Sequence, residues 1–239
     1  MCGRAYETYT DEELELRYFN EKRKRNPLGS LKPNFNLAPT QLSPVVLFRD
    51  GELQLDLFRW GLVPFWAKDI KSAENYSLIN AKSEEIAEKR SYKAAFEKRR
   101  CIVPLSGFFE WKKSEAGSKH PYAIRLKSES IMSVAGIWEH WESKETKVEV
   151  NSFSIITCSA NSFMESIHNR MPVILAKEDE KVWLDPENHD LDALKNFLKP
   201  CPSEWLAGYE VSKLVNSPKN NTTEVLNPIS NLNPSSRQT

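Results

Sequence analysis

Four strand-like segments succeed one another between residues 102 and 139 with no helical segment among them: Ile102 to Val103, Phe108 to Lys112, Tyr122 to Leu126 and Ile131 to Glu139. Their β-branched and aromatic side chains suit a pleated, half-buried surface. Strands joined in a run by short connections pair antiparallel, because a parallel neighbour needs a crossover of about a dozen residues or more. Helices elsewhere fall between groups of strands and do not alternate with them. The order predicts one α+β domain on a mainly antiparallel, barrel-like sheet flanked by short helices.

The flanking elements follow from local signals. Thr10-Asp11-Glu12-Glu13 reads as a capping box that opens a helix to about Lys24, ended by Asn26-Pro27 and Gly29-Ser30. A loop through Pro33 and Asn36-Leu37-Ala38-Pro39 leads to Val45–Phe48 and Leu53–Phe58, which Asp50-Gly51 joins as a hairpin. Leu78 to Ala81 leads into a helix over Ser83 to Arg90 and a second over Ser91 to Lys98. Later strands are expected at Phe153–Cys158 and Pro172–Leu175, with Tyr209–Ser212 closing the sheet. Helices are expected at Ser162–Ile167, Glu178–Leu184 and Leu191–Leu198. The domain is read as residues 2–215. Residues 216–239 are rich in Asn, Ser, Thr and Pro and read as a tail or surface wrap, disordered over about the last eight.

Composition limits the function. The 239 residues, 40% hydrophobic and 28% charged, suffice for one sizeable core. There is no apolar run of roughly 18 residues and no signal-peptide core, so a cytoplasmic protein without membrane association is expected. Four cysteines, at 2, 101, 158 and 201, are too scattered for a disulfide framework or a metal site, and reduced thiols are expected. With 33 basic and 33 acidic residues the net charge is zero. Whole-surface binding to nucleic acid is thereby disfavoured, leaving room for a local basic site. Lys22–Arg25 and Lys98–Arg100 read as solvated helix ends. Nothing in the chain calls for more than a monomer.

The chemistry concentrates at the start. Once Met1 is removed, Cys2 carries an amine and a thiol on adjacent carbons. Such an aminothiol condenses with an aldehyde to an imine, on which the sulfur closes to a thiazolidine. An α-amine ionises about 2.5 units below a lysine, so far more of it is free base at neutral pH. The thiol, near about 8.5, needs a local positive field to become a thiolate, and Arg4 could supply one. The plainer alternative is a small residue in a frayed terminus.

Four further segments carry candidates, each with a structural alternative. Trp60-Gly61-Leu62-Val63-Pro64-Phe65-Trp66 holds aromatics that are either core or a platform for an unstacked base. Glu110, within Gly107-Phe108-Phe109-Glu110-Trp111, either faces solvent or is desolvated and moves protons. His168 in His168-Asn169-Arg170-Met171-Pro172 is a general acid or base, or merely structural, and Arg170 could grip a phosphate. Asn80 could orient an amine or a sugar hydroxyl, or cap the helix after it.

Taken in order with Met1-Cys2-Gly3-Arg4, Asn36-Leu37-Ala38-Pro39-Thr40 and Ile79-Asn80-Ala81-Lys82-Ser83-Glu84, these motifs resemble the SRAP family, the SOS response-associated peptidase or abasic-site processing proteins. The resemblance runs from Cys2 to about Val215. It implies covalent capture of abasic sites in single-stranded DNA, with the family's catalytic positions falling on Cys2, Asn80, Glu110 and His168. In the mechanism expected on that basis, Arg4, Lys82 and Arg170 contact phosphates and Phe65 and Trp66 stack on or wedge beside a base, with no cofactor and no metal. Lys82 stands where many relatives carry arginine, and Ala5 where an aromatic is usual. The family name also implies a thiol peptidase that removes its own Met1 or a short propeptide, so a hydrolase or lyase class is expected. An N-terminal-nucleophile amidotransferase lacks its Asn-Gly motif here, and a non-catalytic DNA-binding module is the remaining alternative.

Overall fold

One strand, Glu149–Ser159, closes a barrel with its first half and carries two further strands along its second. The computed structural model describes residues 2–19 and 31–229. In chain order the elements are β1 (Ala5–Glu7), α1 (Asp11–Phe19), β2 (Asn34–Leu37), β3 (Leu42–Arg49), β4 (Glu52–Trp60), α2 (Ile70–Glu74), β5 (Asn80–Lys82), α3 (Lys93–Lys98) and β6 (Arg100–Leu105). They continue with β7 (Gly107–Lys113), β8 (Lys119–Leu126), β9 (Met132–Glu142), β10 (Glu149–Ser159), α4 (Ser162–Glu165), β11 (Arg170–Pro172), α5 (Glu180–Leu184), α6 (Leu191–Lys195) and β12 (Leu206–Glu210).

β10, β4, β3, β6 and β9 form a closed ring of neighbours, because β9 pairs again with β10. β5 and β11 extend this sheet from the far half of β10. A second sheet has the order β12-β8-β7-β1-β2. Among the described strands, β10 runs parallel to β4 and β5 and the other pairings are antiparallel. The chain is thus the expected α+β domain with a mainly antiparallel, barrel-like sheet.

Local chemistry explains several elements. Glu13 N–H donates to Thr10 Oγ1 at 3.2 Å and Thr10 N–H to Glu13 Oε2 at 2.7 Å, the reciprocal capping box that starts α1. Asp50 and Gly51 have φ of 56° and 83°, the left-handed pair that a two-residue hairpin turn between β3 and β4 requires. Phe58, Trp60 and Phe153 are wholly buried in the barrel region, each worth about 2 to 3 kcal/mol of burial. Trp60 and Phe153 stack at 6.3 Å with ring planes 8° apart. Gly107 is required by space, since a Cβ there would lie 2.4 Å from the carbonyl of Ile124.

Three expectations are corrected. Residues 83–90 form successive turns and no helix. Ser83 N–H is tied to Thr157 O on β10 at 2.8 Å, and Ile86 is fully buried, so the segment is pulled onto the sheet. Asn34–Leu37 is a strand and not loop, because it pairs with β1. Arg100 is not a solvated helix end: it is buried, and its guanidinium donates to the carbonyls of Phe96, Glu97, Trp183, Asp185 and Asn188. Arg99 pairs with Glu139 at 2.7 Å. The Lys22–Arg25 run, the rest of the first helix and the Asn26-Pro27 and Gly29-Ser30 stops lie outside the described residues, as does the end of the tail.

Residues 213–229 lie against the second sheet, with Val215 and Val225 buried beside Tyr6 and Phe109. Among the described residues no helix is long and apolar enough to cross a membrane.

Candidate active site

β1 runs between β7 and β2, so the residues preceding it are delivered into the protein and do not fray. Ala5 pairs with Phe108 and Tyr6 with Gly107, and Phe109 N–H donates to Arg4 O at 2.9 Å. Continued by two residues, that register brings Glu110 level with Gly3. Cys2 is completely buried, which overturns the frayed-terminus alternative. Asn80, from the opposite sheet, donates its side-chain Nδ2 to the carbonyl of Cys2 at 2.7 Å. A carbonyl can only accept, so the amide's orientation is fixed, with Oδ1 pointing elsewhere. Oδ1 is buried and accepts no hydrogen bond among the described residues. No helix follows Asn80 for it to cap. Tyr92 holds its main chain, donating to Asn80 O at 3.0 Å.

The thiol of Cys2 behaves opposite to expectation. Burial, reinforced by the charge of nearby Glu110, pushes it well above the ordinary thiol range, so it is protonated at neutral pH. The Arg4 guanidinium is not the positive field expected for it. Its Nη1 is turned to Asn36 Oδ1 at 2.9 Å and Val215 O at 2.8 Å. Glu110 is 3% exposed, so the solvent-facing alternative is set aside.

β5 and β11 lie on opposite edges of β10, Thr157 being partnered by Lys82 on one side and Pro172 on the other. Two strand spacings, about 10 Å, therefore separate the strand of Asn80 from the strand that follows His168. His168 is half-buried, and its Nδ1 accepts from Arg170 N–H at 3.0 Å. In the neutral ring the proton consequently sits on Nε2. Arg170 meets Glu84 as a fork, Nη1 to Oε1 at 2.6 Å and Nη2 to Oε2 at 3.0 Å, and Nη2 also donates to Thr157 O at 2.6 Å.

The aromatic segment divides. Trp60 belongs to the core, Phe65 is 59% exposed and Trp66 is half-buried. Trp66 meets Tyr76 edge-on at 5.4 Å, and the guanidinium of Arg90 sits 5.4 Å from its ring centre. Lys82 is exposed and paired with Glu85 at 3.2 Å. Residue reasoning missed Tyr76, Arg90, Glu84 and the role of Asn36. Asn36 is fully buried and donates to the carbonyls of Val215, Ser217 and Asn220 while accepting from Arg4. Its place between two apolar residues, Phe35 and Leu37, in a strand-compatible stretch was the available signal.

What the contacts assemble is a buried cysteine main chain held by an amide, with a carboxylate beside the thiol and a histidine on the strand system next to it. Such a set can hold an amine, accept and return protons, and shelter a neutral thiol. The model of the family described as "SOS response associated peptidase (SRAP)" matches residues 1–218. The "Abasic site processing protein YoqW" of Bacillus subtilis (strain 168) is 39% identical over 226 residues, covering 95% of this chain and 99% of that protein. The "Abasic site processing protein HMCES" of Pongo abelii is 32% identical, covering 82% of this chain and 65% of its own. A crystal structure of a protein from Bacteroides thetaiotaomicron superposes with a TM-score of 0.85 at 30% identity, over 95% of this chain and 99% of that one. A match across nine-tenths of the residues, shared by sequence relatives and a solved fold, leaves one conclusion: this chain belongs to the SRAP family.

Proposed function

We propose that the protein processes abasic sites in single-stranded DNA by capturing them covalently on Cys2. The carrying observation is the Asn80 contact: one arm of the amide holds the Cys2 carbonyl, and the other presents a buried acceptor with no donor among the described residues. After removal of Met1, the Cys2 amine would lie within reach of that acceptor. Its nitrogen adds to the aldehyde carbon of the opened deoxyribose, and loss of water gives an imine. The thiol then adds to the imine carbon, its proton passing to the nitrogen, which closes the thiazolidine; the overall reaction releases one water.

Glu110 and His168 are the proton carriers in this scheme. Glu110 is buried beside the thiol, and His168 offers Nε2–H to a leaving hydroxyl. A neutral thiol suits the order of steps, because the amine attacks first and the sulfur is needed only once an electrophilic imine exists. Arg4, Lys82 and Arg170 would meet phosphates, and Phe65 and Trp66 would stack on the neighbouring base. The protein would act as a monomer in the cytoplasm, without cofactor or metal.

The test is a denaturing gel of the protein mixed with single-stranded DNA carrying one abasic site. A heat-stable shifted band is expected, lost on blocking the N-terminus. Full adduct yield from Cys2→Ala would overturn the reading. The peptidase alternative requires a thiolate nucleophile, which burial of Cys2 disfavours. Intact mass of a form retaining Met1 tests it: the proposal expects no thiol-dependent loss of that residue by the protein itself.

A further inference from the structure

The fork of Arg170 is the group best shaped to hold a phosphodiester, yet a carboxylate already fills it. Glu84 binds both terminal nitrogens, at 2.6 and 3.0 Å. The two partners are unequally held. Arg170 is 15% exposed and fixed to Thr157 O at 2.6 Å, whereas Glu84 is 53% exposed and sits in a turn. A carboxylate and a phosphodiester each bring one negative charge and two oxygens to an arginine fork, so one can replace the other without moving the guanidinium.

We propose that Glu84 is an internal stand-in for a DNA phosphate, exchanged at Arg170 when single-stranded DNA binds, and that it thereby sets the affinity and selectivity of this protein for DNA. The inference rests on the DNA-binding part of the function above, and not on covalent capture. Without DNA, the Glu84 carboxylate keeps Arg170 satisfied and ties the turn after β5 to β11 across β10. With DNA, a phosphate takes the fork and Glu84 turns to solvent, which its exposure permits. Weak anions and isolated phosphates, which bring no neighbouring contacts, fail to displace it. A strand that also engages the aromatic residues does.

The experiment measures binding of an intact single-stranded oligonucleotide, with no abasic site, as a function of salt. Glu84→Gln should bind roughly three- to tenfold tighter than the parent, with a salt slope steeper by up to about 0.7. Glu88→Gln changes net charge equally at an exposed neighbour and controls for long-range attraction. Adding Arg170→Ala to Glu84→Gln should abolish the gain. A purely structural ion pair predicts the opposite, weaker or unchanged binding with a lower melting temperature. The proposal is overturned if Glu84→Gln binds no tighter than the parent or no tighter than Glu88→Gln, or if neither protein binds DNA. The two readings fail separately. A gain in Glu84→Gln without any abasic adduct would sink covalent capture alone; adduct formation without that gain would sink the exchange alone.

Discussion

Asn80 and Cys2 are 78 residues apart in sequence and 2.7 Å apart at the bond between the amide of one and the carbonyl of the other. Removing that amide leaves the Cys2 main chain without its hold and takes away the open acceptor. Asn80→Ala should slow single-turnover adduct formation by on the order of a hundredfold. Stability should change by only about 1 to 2 kcal/mol. Rate by quenched gel and melting temperature by calorimetry separate the two effects.

All four cysteines are free and buried, and burial pushes the thiols of Cys2, Cys101, Cys158 and Cys201 upward. At any pH near neutral their thiolate fraction is therefore below that of an open thiol. A thiol-exchange dye at pH 8 should react slowly or not at all with the native protein, then rapidly with four groups after denaturation. Rapid native labelling of Cys2 would contradict the protonated thiol on which the order of steps depends.

Glu7 is fully desolvated, with Ser43 as hydrogen-bond donor, and burial raises its carboxyl from the ordinary 4.5 to about 8. The unfolded chain ionises at the lower value and the folded one at the higher. Between them unfolding releases a proton, so this group's contribution to stability is complete below about pH 4.5 and is lost as pH rises through about 8. Glu7→Gln, which cannot ionise, should flatten that decline and gain most in melting temperature, relative to the parent, at pH 8.5. Equal shifts at pH 5 and pH 8.5 would refute it.

Gly107 faces Tyr6 across the β1 and β7 pairing, and an added Cβ would lie 2.2 Å from the tyrosine oxygen and 2.4 Å from the carbonyl of Ile124. Gly107→Ala should cost about 3 kcal/mol or more. Tyr6→Phe in the same chain should recover little, because the second obstruction is main chain. Denaturant midpoints report both.

Asn36 joins Arg4 to the carbonyls of Val215, Ser217 and Asn220. Asn36→Ala takes the donor from the Asn220 carbonyl and the acceptor from Arg4, while Val215 O keeps Arg4 and Ser217 O keeps the Asn220 N–H, and should cost about 1 to 3 kcal/mol. Hydrogen exchange should rise together in residues 213–221 and in β1, since one side chain serves both.

Elements set by neighbouring residues were legible beforehand. The capping box at Thr10, the Asp50-Gly51 turn and the run of strands from Ile102 to Glu139 each depend on side chains a few positions apart. Barrel closure was not, because β10 meets β4 and β9 by pairing that no local pattern encodes. The 83–90 turns show the same limit. Helical propensity there is overridden by Ser83 on β10, Glu84 on Arg170 and Ile86 in the core. At the site, residue chemistry singled out Cys2, Asn80, Glu110 and His168 as candidates. It could not reveal that the thiol is held neutral, since burial is a property of the whole packing.

β10 is flanked by the strands of two candidate residues. Its residues Ile155 to Ser159 are gripped on one edge by the strand that begins at Asn80 and on the other by the strand that follows His168. A displacement of that segment moves both flanking strands together, so Asn80 and the chain leading from His168 share one support. The 143–148 hairpin, at the other end of β10, instead borders Phe65 and Trp66, so a change in its length reaches those aromatics before it reaches that shared support.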